Sequence, residues 1–211
     1  MTTFRIAIAT VTAAAALAAT AESAAAQSLI LQQQSARHRT RITGHSGSEA
    51  RVGFANALMH GIRWSERDDD PCYFDVSGIG IKGGEPFKSR RSYDGCEIKS
   101  ASLKQVYFVP PKPDFRFIRG IQVCTSKSQK VKGIRAWALR LDAETGEQSD
   151  DGATPIAAQR DNCSAWHDKR MCPSGQLATG LVLQRDKYND VVGLKLECST
   201  VRMSTPMTRP Q

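Results

Sequence analysis

The sequence lacks most signatures of catalytic and metal-binding domains. Its 211 residues contain no C-x-x-C pair, and the 4 histidines are scattered rather than set at metal-ligand spacing. H-E-x-x-H motifs, phosphate-binding loops and dinucleotide fingerprints are also absent. After the N-terminus no stretch keeps an apolar period of about 3.6 residues, which argues against a helical core. We therefore expect neither a metal site nor a cofactor.

Long apolar runs are lacking too, except at the N-terminus. A short start with one basic residue (1–5) precedes an apolar, alanine-rich run (6–19), and small residues at 24–26 lead up to Gln27. This order is typical of a secretory signal peptide, and the run is too short for the roughly 20 residues of a membrane span. We predict a cleaved signal peptide over residues 1–26. The mature chain is then secreted or periplasmic and has no transmembrane segment.

The remainder fits one domain of ordinary size. Removing 26 of 211 residues leaves 185, and the net charge stays +8 because the removed part holds one basic and one acidic residue. Residues 27–50 are polar, and we interpret them as a flexible lead-in with order starting near Arg39. We assign 51–202 to a single domain and 203–211 to a tail.

All six cysteines lie in the predicted mature chain. An even number in an exported protein predicts three disulfides, although spacing alone does not fix their connectivity. The cysteines are Cys72, Cys96, Cys124, Cys163, Cys172 and Cys198.

The distribution of residue types along the chain predicts an all-β domain. Short segments rich in Val, Ile, Phe and Tyr alternate with turn signals such as Gly83-Gly84 and the proline-rich 110–113. The candidate strands are 51–64, 73–82, 101–109, 116–124, 131–141, 176–184 and 191–199.

One short pattern recurs: Gly, then Ile or Leu, any residue, then an apolar residue. Its six copies start at Gly61, Gly78, Gly120, Gly133, Gly180 and Gly193. Taken as three pairs, the first members are 59 and 60 residues apart (61, 120, 180) and the second members 55 and 60 (78, 133, 193). A period near 60 predicts three related units of about four strands each. A competing register aligns Gly120 with Gly193 and gives a period of 73.

The stretch 163–199 carries a more specific pattern. Ser164-Ala165-Trp166 precedes Cys172-Pro173-Ser174-Gly175, an apolar strand follows at 177–183, and Gly193-Leu194-Lys195-Leu196-Glu197-Cys198 ends the unit. This stretch resembles one repeat of the vitelline membrane outer layer protein I family. The resemblance implies a β-prism of three four-stranded antiparallel sheets about a pseudo-threefold axis, related in shape to jacalin-type lectins. Two departures are the charged connection 185–190 and the missing Cys-Pro start at Cys96.

The same resemblance implies a disulfide pattern. If Cys172–Cys198 brackets one unit, the analogous pair is Cys96–Cys124, because the separations are 26 and 28 residues. The pair left over is Cys72–Cys163, and a short Cys163–Cys172 bridge is the main rival.

Catalytic interpretations of the sequence are weak. The segment 44–48 (Gly-His-Ser-Gly-Ser) lacks the final Gly of a nucleophile elbow and does not follow a predicted strand. Acidic residues at 68–70 and 150–152 lack the alternation of a calcium loop, so we expect solvated turns there. A protein without catalytic activity is favoured.

Charge and aromatic residues suggest a binding surface. Basic clusters occur at 88–91, 127–135 and 167–170, in or beside predicted turns, and such a surface attracts anionic glycans or other anionic surfaces. Trp166 is the best candidate for a sugar-stacking ring, although burial is the more frequent fate of a large aromatic, and Trp64 and Trp137 are assigned to the core. The candidate binding residues are Trp166, Lys169, Arg170 and Arg185.

The sequence therefore predicts a secreted or periplasmic, disulfide-stapled β-prism that binds a carbohydrate or an anionic surface. A structural or protein-interacting component of the cell envelope is the first alternative, and a secreted carbohydrate-active enzyme is the second. Export and the absence of an aromatic-basic stacking motif argue against nucleic acid. The oligomeric state is left open.

Overall fold

The computed structural model describes residues 29–31, 38–82, 85–96, 102–108, 114–142, 145–150, 152 and 154–203. Within these residues it has three antiparallel sheets, which confirms the all-β, β-prism-like class. No helix among them is long and apolar enough to cross a bilayer. The predicted signal peptide, 1–26, lies outside the described residues.

Sixteen strands make up the described fold. In chain order they are β1 (Leu29–Leu31), β2 (His38–Arg39), β3 (Thr43–Gly44), β4 (Ser48–Gly53), β5 (Leu58–Arg67), β6 (Asp70–Lys82), β7 (Glu85–Asp94), β8 (Lys104–Tyr107), β9 (Asp114–Thr125), β10 (Val131–Asp142), β11 (Gln148–Ser149), β12 (Ile156–Gln159), β13 (Ala165–Trp166), β14 (Arg170–Met171), β15 (Gln176–Arg185) and β16 (Val191–Met203).

Each sheet is built around one long hairpin. Sheet I has the β15–β16 hairpin at its centre and adds β1 to β4, so the first and last described strands share a sheet. Sheet II is centred on β9–β10 and adds β11 to β14. Sheet III has the order β7-β6-β5-β8. The predicted flexible lead-in, 27–50, contains β1, β2, β3 and the start of β4. The first three of these strands pair with β16, and β4 pairs with β15.

The recurring glycine pattern marks the three central hairpins. Each hairpin carries two copies, one on each strand, which confirms the prediction of three related units. The competing period of 73 is wrong, since Gly120 lies on the first strand of its hairpin and Gly193 on the second. Directly before the first glycine of each pair the strand register shifts by one residue, so His60, Arg119 and Thr179 have no counterpart on the second strand of their own hairpin. Such β-bulges redirect side chains next to them.

The three hairpins enclose one apolar core. Alternating residues of every hairpin point inward, and Trp64, Ile121 and Leu181 are fully buried. A second buried cluster, with Phe117 and Leu141, is formed by the strand ends distant from the hairpin turns. The assignment of Trp64 to the core is confirmed.

Ion pairs connect the three hairpins at their turn end. The Lys130 ammonium group bonds Asp70 of sheet III and lies 3.1 Å from Asp190 of sheet I. The fully buried Lys132 contacts Glu66 at 2.7 Å and Asp69 at 2.6 Å. The acidic residues at 69–70, which we expected to be solvated, are therefore the partners of two lysines.

The disulfides correct part of the predicted pattern. Cys172–Cys198 is present, as the family resemblance implied. The other two implied pairs are wrong: Cys72 bonds Cys96, and Cys124 bonds Cys163. Similar spacing suggested that 96–124 was equivalent to 172–198, but Cys96 follows β7 in sheet III, close to Cys72 on the neighbouring β6. Cys124 lies on β9, and Cys163 lies just before β13, which pairs with β9.

Candidate functional site

The outward face of sheet III carries polar side chains from all four of its strands. Ile62 on β5, Val76 on β6 and Val106 on β8 are fully buried in the core. Since neighbouring residues of a strand point to opposite faces, Arg63 and Ser77 project from the other side of the sheet. The register pairs Arg63 with Gln105 and Ser77 with Arg90, which brings four strands together at one place.

These side chains line an open cavity of about 440 Å³, which we call the cationic groove. Its size lies within the range of small-ligand sites, roughly 300–1,000 Å³. The residues used below are His60, Arg63, Ser77, Lys88, Arg90, Gln105 and Tyr107.

A buried carboxylate holds two of the groove's guanidinium groups. Asp75, 1% exposed, accepts a hydrogen bond from Nε of Arg63 at 3.2 Å and another from Nε of Arg90. The Tyr73 hydroxyl donates to the same carboxylate at 3.3 Å. Burial raises the pKa of Asp75 above its ordinary value, and the charge of Arg63 opposes this shift. The carboxylate fixes both arginines at the wall of the groove.

The groove keeps a surplus of positive charge. Lys88 is exposed and forms no ion pair with any described residue. Arg63, Arg90 and Lys88 contribute three positive charges, and Asp75 neutralises one. This surplus makes the groove attractive to an anion.

His60, the bulged residue of β5, lies at one side of the groove. Its Nδ1 is 3.2 Å from the carbonyl oxygen of Phe108, so a neutral ring with hydrogen on Nδ1 donates this bond. Its ring meets the Tyr107 ring edge-on, with centroids 4.6 Å apart. Burial lowers the pKa of His60, which favours the neutral ring.

The predicted binding residues lie on two other sheets. Trp166 on β13 is half-buried, and the Arg135 guanidinium lies 4.5 Å from its ring centroid. Lys169 lies 4.4 Å from the centroid of Trp137. Trp166 and Lys169 thus share the outward face of sheet II, where each aromatic ring is already paired with a cation.

Arg170 and Arg185 are engaged elsewhere. Arg170 donates from Nε to the carbonyl oxygen of Ile42 at 3.0 Å and forms an ion pair with Asp168 at 2.9 Å. Arg185 donates to the hydroxyl of Tyr93 at 3.1 Å and lies beside sheet III, apart from the other three. The structure does not bring the four residues into one site, and their binding role stays a prediction.

Two sequence interpretations require correction. Trp137 was assigned to the core but is half-buried on the outward face, because it is paired with Gly120 and covered by Lys169 rather than by another sheet. The basic cluster 88–91 was placed in or beside a turn but lies within β7, hydrogen-bonded along β6. The alternating Lys88 and Arg90 were a signal for a strand with a cationic face.

The described residues contain no cluster of three or more His, Cys, Asp or Glu side chains that could hold a metal ion. Gly44, at the start of the partial nucleophile motif, ends β3 and pairs with Gly193 of β16, a context unlike the strand-turn-helix of an elbow.

Comparison with known proteins gives matches of fold only. No family model matches the chain, and no curated protein does. Among solved structures, the mannose-binding lectin from Champedak is 12% identical over 78% of this chain and 98% of its own, with a TM-score of 0.47. Artocarpin in complex with methyl-α-mannose is 11% identical over 79% and 99%, with a TM-score of 0.45. Single-chain recombinant jacalin is 11% identical over 79% and 97%, with a TM-score of 0.41. These proteins are jacalin-like β-prism lectins, and the finer resemblance to the vitelline membrane family stays a prediction.

Proposed function

We propose that this chain is an exported, non-catalytic protein that binds an anionic saccharide in the cationic groove. The observation that carries the proposal is the charge surplus of the groove, in which Lys88 and two arginines face one carboxylate. Charge-assisted hydrogen bonds to an anion are about twice as strong as neutral ones, and guanidinium groups bind carboxylates and sulfates through two parallel bonds.

The neutral groups of the groove favour a sugar as the carrier of that anion. Ser77, Gln105 and Tyr107 line the same cavity, and their side chains carry both donors and acceptors for sugar hydroxyls. An isolated inorganic anion would use only the cations and leave these groups to water. A saccharide with a carboxylate or sulfate group would use both kinds of contact.

The export part of the proposal rests on the predicted signal peptide and on the cysteines. Three disulfides form and the described chain has no free cysteine, which is the pattern of proteins from oxidising compartments. The Champedak lectin is described as mannose-binding, and the artocarpin structure contains methyl-α-mannose. Because the TM-scores of these matches are below 0.5, the sugar binding of the lectins is not used as support, and the proposal depends on the groove alone.

Calorimetric titration with two matched ligands tests the proposal. Oxidised protein with its three disulfides formed is titrated with trigalacturonate and with its fully methyl-esterified form, which has the same sugar units without charge. We expect saturable binding of the acid and at least about tenfold weaker binding of the ester, a difference of about 1.4 kcal/mol. A sulfated disaccharide shows whether sulfate replaces carboxylate, and inorganic sulfate measures the contribution of the anion alone.

Variants locate the binding. Lys88→Gln and Arg90→Gln should each weaken binding of the acid by about tenfold, the value of one charge-assisted contact. Lys127→Gln removes the same charge from an exposed turn outside the groove and should leave affinity within about twofold. Equal affinity for acid and ester, or equal losses in all three variants, would refute the groove as an anionic-sugar site.

A further inference from the structure

The pseudo-threefold relation of the sheets points to a second pocket. His60, the bulged residue of sheet III, borders the cationic groove, and Arg119 holds the equivalent position in sheet II. Arg119 also borders a cavity, of about 370 Å³, which we call the bulge pocket. In sheet I the equivalent Thr179 is buried and its hydroxyl donates to the Glu197 carbonyl oxygen at 3.4 Å. Two of the three bulges are therefore associated with cavities.

The bulge pocket lies between the end of the β9–β10 hairpin and the turn before β15. Besides Arg119 it is lined by Leu139, Gly146, Gln148, Asp150, Ser174 and Gly175. The Gln148 amide donates to the carbonyl oxygen of Gly175 at 3.3 Å and connects the two sides. Gly175 has a φ of +74°, and a Cβ there would meet nothing within 4 Å, so the wall is open above this turn.

Two of the lining residues carry buried polar atoms without a partner. Nε of Arg119 and Oε1 of Gln148 are removed from solvent, and neither has a hydrogen-bond partner among the described residues. An unpaired buried polar atom costs about 1–3 kcal/mol, so native structures rarely keep two of them at one cavity. Because both side chains border the cavity, we expect them to rotate and turn these atoms toward a hydrogen-bonding molecule that enters it.

The charge balance of this pocket differs from that of the groove. One cation, Arg119, is matched by one anion, Asp150, and the other polar groups are neutral. An anionic ligand would meet the Asp150 carboxylate, and a cationic ligand would meet the Arg119 guanidinium. A neutral ligand with several hydroxyl groups can donate to Asp150 and Gln148 Oε1 and accept from Arg119 and Ser174.

We infer that the bulge pocket is a second binding site, specific for a neutral polyhydroxylated ligand about the size of one sugar unit. This inference does not depend on the proposed function of the cationic groove. If both hold, the protein has two sugar-binding sites of different charge, on different sheets.

Nuclear magnetic resonance titration of the oxidised protein tests the inference. The probes are glucose, galactose, mannose and N-acetylglucosamine, with glycerol and inositol as non-sugar polyols. We expect saturable shifts of the Gly146 and Gly175 amides and of the Gln148 side-chain amide with at least one probe. Trigalacturonate, the probe of the cationic groove, should leave these three signals in place.

Matched variants separate binding from folding. Gln148→Met keeps the length of the side chain and removes its polar atoms, and we expect at least about tenfold weaker binding, as for a lost buried hydrogen-bond partner. Ser149→Ala, on the same short strand but not lining the pocket, should bind as the parent protein does. A second variant, Arg119→Leu, should also lose binding, and thermal unfolding verifies that each variant is folded.

The inference is overturned if no probe gives a saturable shift at these amides, or if Gln148→Met binds as well as Ser149→Ala does. A crystal structure in which ordered waters bond Arg119 Nε and Gln148 Oε1, and are not displaced by any probe, would also overturn it. A negative result for the bulge pocket would not affect the proposal for the cationic groove, because the two cavities share no lining residue. For the same reason Lys88→Gln should not change the titration of the bulge pocket.

Discussion

The outward faces of sheets II and III both carry cationic side chains, but the partners of these side chains differ. On sheet II the charges of Arg135 and Lys169 lie 4.5 Å and 4.4 Å from the ring centroids of Trp166 and Trp137. On sheet III, Lys88 has no aromatic ring or carboxylate as a partner among the described residues, and Arg90 shares one carboxylate with Arg63. The lesson is that a basic cluster predicts a binding surface only where aromatic rings and carboxylates leave some of its charge available.

The largest expected effect comes from reversing one charge on each face. Lys88→Glu places a negative charge in the cationic groove, and we expect affinity for trigalacturonate to fall about 100-fold, a change of about 2.7 kcal/mol. Lys169→Glu makes the same change beside Trp137 and should alter affinity less than about threefold. Calorimetric titration of both variants measures the difference. Similar losses in the two variants would remove the distinction between the faces.

Removing the carboxylate of the groove should change stability and affinity in opposite directions. In Asp75→Asn the two guanidinium groups lose their anionic partner, and we expect the free energy of unfolding to fall by about 1–3 kcal/mol. Because the groove then carries more positive charge, affinity for trigalacturonate should rise by roughly threefold or more. Urea unfolding and calorimetry measure the two quantities. A fall in affinity with the native fold retained would contradict the expectation that the charge surplus of the groove sets the affinity.

Two equivalent glycines test how rigidly each face is built. A Cβ on Gly61 would lie 2.5 Å from the Tyr107 ring, whereas one on Gly120 would lie 2.0 Å from the sulfur of Met171. A ring packed on His60 moves less readily than a flexible thioether, so Gly61→Ala should cost about 1–3 kcal/mol and Gly120→Ala less. Gly61→Ala should also weaken binding in the groove. Thermal unfolding of both variants decides the order, and a larger loss for Gly120→Ala would reverse our ranking.

The smallest expected effect is a dependence of stability on pH. Burial lowers the pKa of His60, next to the groove, and also that of His167, near Trp166. Their pKa values in the unfolded chain are near 6.5, so the unfolded state binds more protons as the pH falls below about 6.5. The free energy of unfolding should therefore be steady above that pH and decrease below it.

His60→Asn and His167→Asn separate the two contributions. Each variant should reduce the loss of stability between about pH 7.5 and pH 5.5, and His60→Asn should reduce it more, because His60 is 2% exposed. Urea unfolding at the two pH values measures this loss. An unchanged loss in His60→Asn would show that the ring is not held neutral by burial.

The sequence predicted the architecture better than the details of the site. Six glycines at repeated spacing located the three central hairpins. The first glycine of each pair directly follows a β-bulge, so this feature of the fold depends on neighbouring residues of one strand and is visible in the sequence. Cysteine spacing did not predict two of the bridges, since Cys96 and Cys124 belong to different sheets. Segments outside the repeats, such as β2 and β3, have no periodic apolar pattern and are held by pairing with β16.

The groove could not be found from neighbouring residues in the sequence. Its side chains come from four strands, and His60, Lys88 and Tyr107 meet only through the register of sheet III. Trp166 was chosen because it lies beside charged residues, and the sequence did not reveal that Arg135, distant along the chain, covers its ring. The available charge of a residue depends on such partners, which are set by the fold.

The most direct test of the central claim is a map of the amides that shift when trigalacturonate is added to the oxidised protein. We predict saturable shifts at His60, Arg63 and 88–90, with residues 165–170 unchanged. Saturable shifts confined to 165–170, with the groove unchanged, would contradict the account and return the binding site to sheet II.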